Sequence, residues 1–264
     1  MTYLTKQQLK SKLNYHYKAF DKTTISPDPL EFPHRFTNIY DIEIAAFIAS
    51  VFAYGSVKQI INTLDRIFDL IDNEPFKFVT NYNYGKDKNV FKGIKHRFYT
   101  ENDIAALFAG LNKVYKEYGS LNYLFLLYYF PKAENIKGAL SFFSKNLTEI
   151  IENETGVNSN GVKFMFPDPL KGSACKRQNL FLRWMVRNDE LDFGLWKEIS
   201  TGKLIIPVDT HIARISRRLN LTKRKIVSWK MAEEITNNLK KFDADDPVKF
   251  DFALCHIGMR KLIF

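Results

Sequence analysis

Residues 204–219, LIIPVDTHIARISRRL, set one carboxylate, Asp209, between an apolar run and a basic amphipathic segment. Pro207 stops any upstream helix. Ile212, Ile215 and Leu219 then repeat at helical spacing, so a helix starts at Thr210 with Asp209 placed to cap it by accepting backbone N–H bonds. Such a cap contributes about 1 kcal/mol and needs no catalytic role. A second stretch, GSACKRQNLFLRWMV (172–186), opens on a glycine that suits a tight turn and brings Lys176 to the start of another amphipathic helix, with Leu180 and Trp184 inward. Backbone N–H groups at a helix start favour an anion. A lysine there is a surface group, a phosphate contact or, if desolvated, an amine nucleophile.

Charge gives these two stretches a context. The chain carries a formal net charge of +10 and a pI of about 9.4, which suits a polyanionic partner. The excess is local: residues 161–230 hold 15 Lys/Arg against 6 Asp/Glu, and the remaining 194 residues hold 24 against 23. Arg177, His211, Arg214, Arg217 and Arg218 fall in the basic segment, as a solvated face or as contacts to phosphates. A third cluster, FKGIKHRFY (91–99), sets Lys92, Lys95, His96 and Arg97 among aromatics, a mixture that suits nucleic-acid backbone and base contacts. Trp184, Phe193 and Trp196 are either core or rings on which a displaced base could stack. Cys255 and His256 are adjacent on a helix and do not face each other, so they form no dyad.

The elements that must position these groups read as helices. Helical patterns cover about 5–20, 40–54, 56–72, 101–118, 120–130, 133–151, 172–187, 192–200, 210–219, 227–241 and 246–258, with Asp41 a plausible cap of the second. NYNYGKDKN (81–89) and NETGVNSNG (153–161) read as loops, the latter marking a hinge near 153–163 between two interleaved helical lobes of one 1–264 unit. Strand signals are few, so the expected fold class is all-α. The 45% hydrophobic content, with 23 Phe and 13 Tyr, is ample for a core. Two cysteines without metal-ligand spacing, no signal-peptide pattern and no run long enough to span a bilayer lead to the expectation of a reduced, cytoplasmic chain without cofactor or metal.

The two chemical stretches together resemble the helix-hairpin-helix (HhH-GPD) DNA glycosylase superfamily, of the endonuclease III and archaeal 8-oxoguanine glycosylase kind. The marks are the G-x-x-x-K turn at 172–176, the IPVD-x-H helix start at 206–211, and EIAAFIASVFAYGSVKQIINTLDRIF (43–68), similar to an early helix pair of those enzymes. The chain is also similar throughout to a bacterial family of unknown function placed near that superfamily, on SACKRQNLFLRWMVR, IIPVDTHIARI and DPVKFDFALCHIGM. The resemblance implies a two-lobed helical fold, with Lys176 as the amine attacking the sugar C1′, Asp209 assisting, and N–H groups around Gly172, Ser173 and Ala174 on a phosphate. It departs at four points: Ala174 replaces a hairpin glycine, NDELDFGLWKEISTGK (188–203) lengthens the Lys-to-Asp interval, no iron–sulfur cysteines are present, and Val51 stands where endonuclease III inserts a glutamine.

That chemistry fits the residue types. Attack at C1′ needs an uncharged amine near a carboxylate, which takes the amine's proton or stabilises positive charge growing on the sugar. The target base must leave the stack, which costs a few kcal/mol and favours damaged or mispaired bases. The expectation is therefore a DNA glycosylase with AP lyase activity, acting in base excision repair as a monomer on damaged duplex or single strands, RNA being the other nucleic acid in view. The alternatives are a non-catalytic DNA- or RNA-binding module of the same fold and a helical protein-interaction domain with a basic face.

Overall fold

The computed structural model describes residues 5–260, with side chains described as far as Cys255. Thirteen α-helices are described: α1 Lys6–Lys18, α2 Ile39–Phe52, α3 Val57–Leu70, α4 Pro75–Asn81, α5 Tyr84–Asp87, α6 Glu101–Tyr118, α7 Leu121–Leu126, α8 Lys137–Thr155, α9 Asn160–Met165, α10 Lys176–Val186, α11 Thr210–Arg218, α12 Trp229–Leu239 and α13 Asp251–Arg260. Among the described residues there are two isolated bridges and no strand, so the fold is all-α. No described helix is long and apolar enough to cross a membrane.

The chain divides into two compact units. One comprises Met1–Ser26, Glu134–Ile136 and Lys171–Phe264, the other Pro27–Ala133 and Lys137–Leu170. The second unit, α2 to α9, forms around α2. That helix is apolar on all sides, and every residue from Ile42 to Phe52 is buried. Its one buried charge, Glu43, accepts from Leu121 N at 3.0 Å and Tyr115 Oη at 2.5 Å, so a core carboxylate meets the N-terminus of α7. Close helix approach dictates small residues: a Cβ on Gly110 of α6 would lie 2.4 Å from Ile151 of α8. A helix cap falls at Asn38, whose side chain accepts from Tyr40 N. Asp41, read as that cap, instead accepts from Phe76 N at the start of α4.

The polar stretch 153–163 is mostly helical: α8 continues to Thr155 and α9 begins at Asn160, capped by Ser159. Tyr84–Asp87, inside the segment read as a loop, closes a short helix capped by Asn83.

The first unit holds α1 and α10 to α13. Helix α13 packs on both α11 and α1, and Trp184, Trp196 and Trp229 are all fully enclosed. The helix expected over 192–200 is absent. Gly194 takes a left-handed φ of 61°, and Phe193 N and Trp196 N bond to the carbonyls of Trp184 and Met185. The segment thus serves as the C-terminal partner of α10, and this pairing with the preceding helix overrides its local helical pattern.

Candidate active site

The site of the first unit is built from three helix starts. At the first, Gly172 has φ 91°, which only glycine adopts without strain. Ser173 Oγ accepts from Cys175 N at 3.2 Å. The second left-handed residue of the turn is Cys175, φ 48°, and not Ala174, so the turn does not need the glycine whose absence the sequence raises. Lys176 follows as the first residue of α10, half-buried.

At the second, Pro207 and Val208 are buried and Asp209 caps α11. A single oxygen, Oδ1, accepts from His211 N at 2.8 Å and from Ile212 N at 2.9 Å. The expected cap is therefore present. It uses one carboxylate oxygen, which leaves Oδ2 outside the cap. His211 Nδ1 is buried with no hydrogen-bond partner among the described residues.

At the third, Asp251 opens α13, is buried, and accepts from Arg183 Nη1 at 2.6 Å. Burial pushes its carboxyl up to about 6, against the pull of Arg183 and the Lys176 ammonium, and the Asp209 carboxylate adds to the rise. Asp251 is thus a buried carboxyl within the electrostatic reach of both Lys176 and Asp209. The sequence marks it only as an acid among apolar neighbours, FDFAL (250–254), and such a residue needs a partner that sequence does not reveal.

That partner belongs to a buried ionic network. Asp192 Oδ1 accepts from Arg183 Nε and Nη2 at 3.2 and 3.1 Å, and its Oδ2 accepts from Arg187 Nη1. Arg187 also donates to Asp246 and Asp189, and Tyr17 Oη bonds to Asp189 at 3.0 Å. Burial opposes the charge on both arginines, yet the carboxylates around them, Asp192 foremost, keep both guanidiniums protonated. The 188–203 stretch thus supplies Asp189 and Asp192 as counter-ions behind α10.

Other sequence candidates are sorted by exposure. Arg214, Arg217 and Arg218 of α11 are exposed and Arg177 is buried. Arg183 and Arg187 are consumed internally, so the basic face is narrower than the charge count implies. Trp184 and Trp196 are enclosed at 0% and 1% exposure, with Trp196 edge-on to Phe181 at 5.1 Å. Neither indole offers a face for a base here, and Phe193 is half-buried.

In the second unit, His96 corrects the reading of 91–99 as a surface cluster. It is 2% exposed, and its Nδ1 and Nε2 each lie 3.1 Å from a partner, Thr63 Oγ1 and Tyr54 O. The ring braces a turn and presents nothing to solvent. Lys95 and Arg97 are exposed, and the Arg97 guanidinium lies over Tyr54 and Phe98 at 5.6 and 5.7 Å. Among the described residues no group of three or more His, Cys, Asp or Glu could hold a metal ion.

A family model described as a protein of unknown function, DUF2400, matches residues 28–260. The chain belongs to the DUF2400 family. No curated protein and no solved structure matches it. The DUF2400 match takes in all three helix starts of the site, while α1, which packs on α13, precedes it.

Proposed function

We propose that this chain binds nucleic acid with an HhH-GPD-like fold and excises a damaged base from DNA, with Lys176 as nucleophile and Asp209 assisting. The observation that carries this reading is the convergence of three helix starts on Asp251: Arg183 of α10 donates to it at 2.6 Å, α11 packs on its helix, and its carboxyl feels the charges of both Lys176 and Asp209. The half-used cap supports it further, because Asp209 Oδ1 holds α11 while Oδ2 is left for chemistry.

In this mechanism the Lys176 ammonium first gives up a proton to solvent, and the freed Nζ forms a bond to C1′ as the glycosidic bond breaks and its electron pair leaves with the base. The proton lost from the amine passes to Asp209 Oδ2 or to solvent. Collapse to an imine opens the sugar ring and sets up strand cleavage by elimination. The Gly172 turn would hold the flanking phosphate, and Arg214, Arg217 and Arg218 would add sequence-independent affinity.

The reading is tested by incubating the purified protein with duplexes and single strands carrying a panel of lesions and scoring base release. Binding supplies a separate expected outcome. Affinity for duplex DNA falls steeply with salt, and reversing Arg214, Arg217 and Arg218 to Glu abolishes it, because each phosphate contact contributes roughly 0.9 to the slope of log affinity against log salt. Binding that is insensitive to salt, or absent at low salt, counts against any nucleic-acid function.

A further inference from the structure

We infer that the loop joining α11 to α12, residues 219–228, is a second DNA-contacting element that presses the Ile226 side chain between base pairs of a duplex while Lys223 and Lys225 hold phosphates on either side. The inference rests on the nucleic-acid binding proposed above and is independent of the chemistry of Lys176.

The loop is irregular yet firmly tied. Asn238 Nδ2 donates to Leu221 O at 2.8 Å and Thr222 Oγ1 to Glu234 Oε2 at 3.0 Å. Arg224 pairs with the same Glu234 at 2.8 Å, and Arg217 Nη1 donates to Lys225 O at 3.1 Å. Trp229 N, just past the loop, donates to Gly172 O at 3.0 Å. A segment held at this many points is shaped in advance, so a partner that binds it meets little ordering cost.

That fixed shape leaves a large aliphatic side chain in water. Ile226 is 79% exposed, the highest value among the exposed large hydrophobics of the described residues, and Val227 beside it is 38% exposed. Burying such a side chain is favourable, and the loop forgoes it while burying Leu221 and Thr222.

Charge selects the occupant. Glu234 is spent on Arg224 and on the Lys223 backbone N–H, whereas the side chains of Lys223 and Lys225 are exposed and form no ion pair among the described residues. The ties to Gly172 and Arg217 make the loop continuous with the turn and helix assigned to phosphates. An aliphatic tip between cations matches the side chains that wedge between base steps and kink a duplex. An anionic bilayer is the less favoured occupant, since two apolar residues bury too little surface to hold a protein on a membrane.

The test uses the full chain and a fluorescently end-labelled duplex, reading affinity and end-to-end energy transfer. Ile226→Ala is expected to weaken binding about tenfold and to remove the protein-induced bend, with the salt slope unchanged. Lys223→Ala with Lys225→Ala is expected to lower the salt slope by about 2. The substitutions are on exposed side chains, and an unchanged circular dichroism spectrum and melting temperature will confirm that the fold is kept. Native affinity and bending in Ile226→Ala overturn the inference; so does a parallel co-sedimentation with phosphatidylserine vesicles in which the loop variants lose vesicle binding while keeping native duplex binding. If the Arg214, Arg217 and Arg218 reversal abolishes duplex binding while the loop variants bind and bend as the native chain does, the loop inference alone fails. If the native chain binds no duplex at low salt, both readings fail.

Discussion

Asp192→Ala is expected to destabilise the first unit by about 3–5 kcal/mol, which is enough to unfold a marginal domain. Both oxygens of Asp192 are engaged, Oδ1 by two nitrogens of Arg183 and Oδ2 by Arg187. Each arginine side chain is 3% exposed. Removing the carboxylate takes a shared counter-charge from two guanidiniums in a low-dielectric interior, and a buried charge that loses part of its compensation costs more than the pair contributed. Arg187 retains Asp246 and Asp189, and Arg183 retains Asp251. The loss therefore falls mainly on Arg183, which is left with one carboxylate. Urea denaturation followed by circular dichroism measures the change, and a loss under about 1 kcal/mol would contradict a structural role for the network. Because Arg183 also holds Asp251, the same substitution is expected to disturb the three helix starts of the site.

Asp209→Asn should separate architecture from chemistry. Asparagine caps a helix about as well as aspartate, and its amide oxygen can take the place of Oδ1 toward His211 N and Ile212 N. Losing one negative charge at the N-terminus of α11 costs about 0.3–1 kcal/mol. At the position of Oδ2, however, an NH₂ group replaces a carboxylate oxygen, which removes both the proton acceptor and the negative charge that would face the sugar. Base release is expected to drop about 10²–10⁴-fold with the melting temperature almost unmoved. An Asn variant that releases the base at the native rate would confine Asp209 to capping.

How legible the sequence is depends on how local each signal is. The start of α11 is readable because Pro207, Asp209 and the Ile212/Ile215 spacing all lie within nine residues, and the structure has the helix and cap there. Helix α6 is readable for the same reason, with Thr100 and Asp103 forming a capping box and Gly119 closing the far end in a left-handed conformation. The segment 192–200 misleads because Phe193 and Trp196 are spaced as on a helix, whereas their backbone N–H groups answer carbonyls of α10. The 120–130 stretch is helical only to Leu126, and Tyr128 beyond it stacks on Phe142 of α8 at 4.6 Å.

Within the site, Lys176 and Asp209 are visible as types at suggestive helix starts. Asp251 and its tie to Arg183 are not, since 68 residues separate the two. The same limit explains His96, whose brackets, Thr63 and Tyr54, lie 33 and 42 residues away. A basic run therefore reads as surface until the fold shows which cations turn inward.

If Lys176 is an amine nucleophile, borohydride traps it on DNA. An imine between Lys176 and the opened sugar is reduced to a permanent protein–DNA cross-link, which runs as a slower band on a denaturing gel. Lys171, exposed and ahead of the turn, is the control, because abasic sites react with many amines. A cross-link to an abasic or lesion-bearing duplex is expected in the native chain and in Lys171→Gln, and its loss in Lys176→Gln. No cross-link in the native chain, or one that persists undiminished in Lys176→Gln, would contradict it.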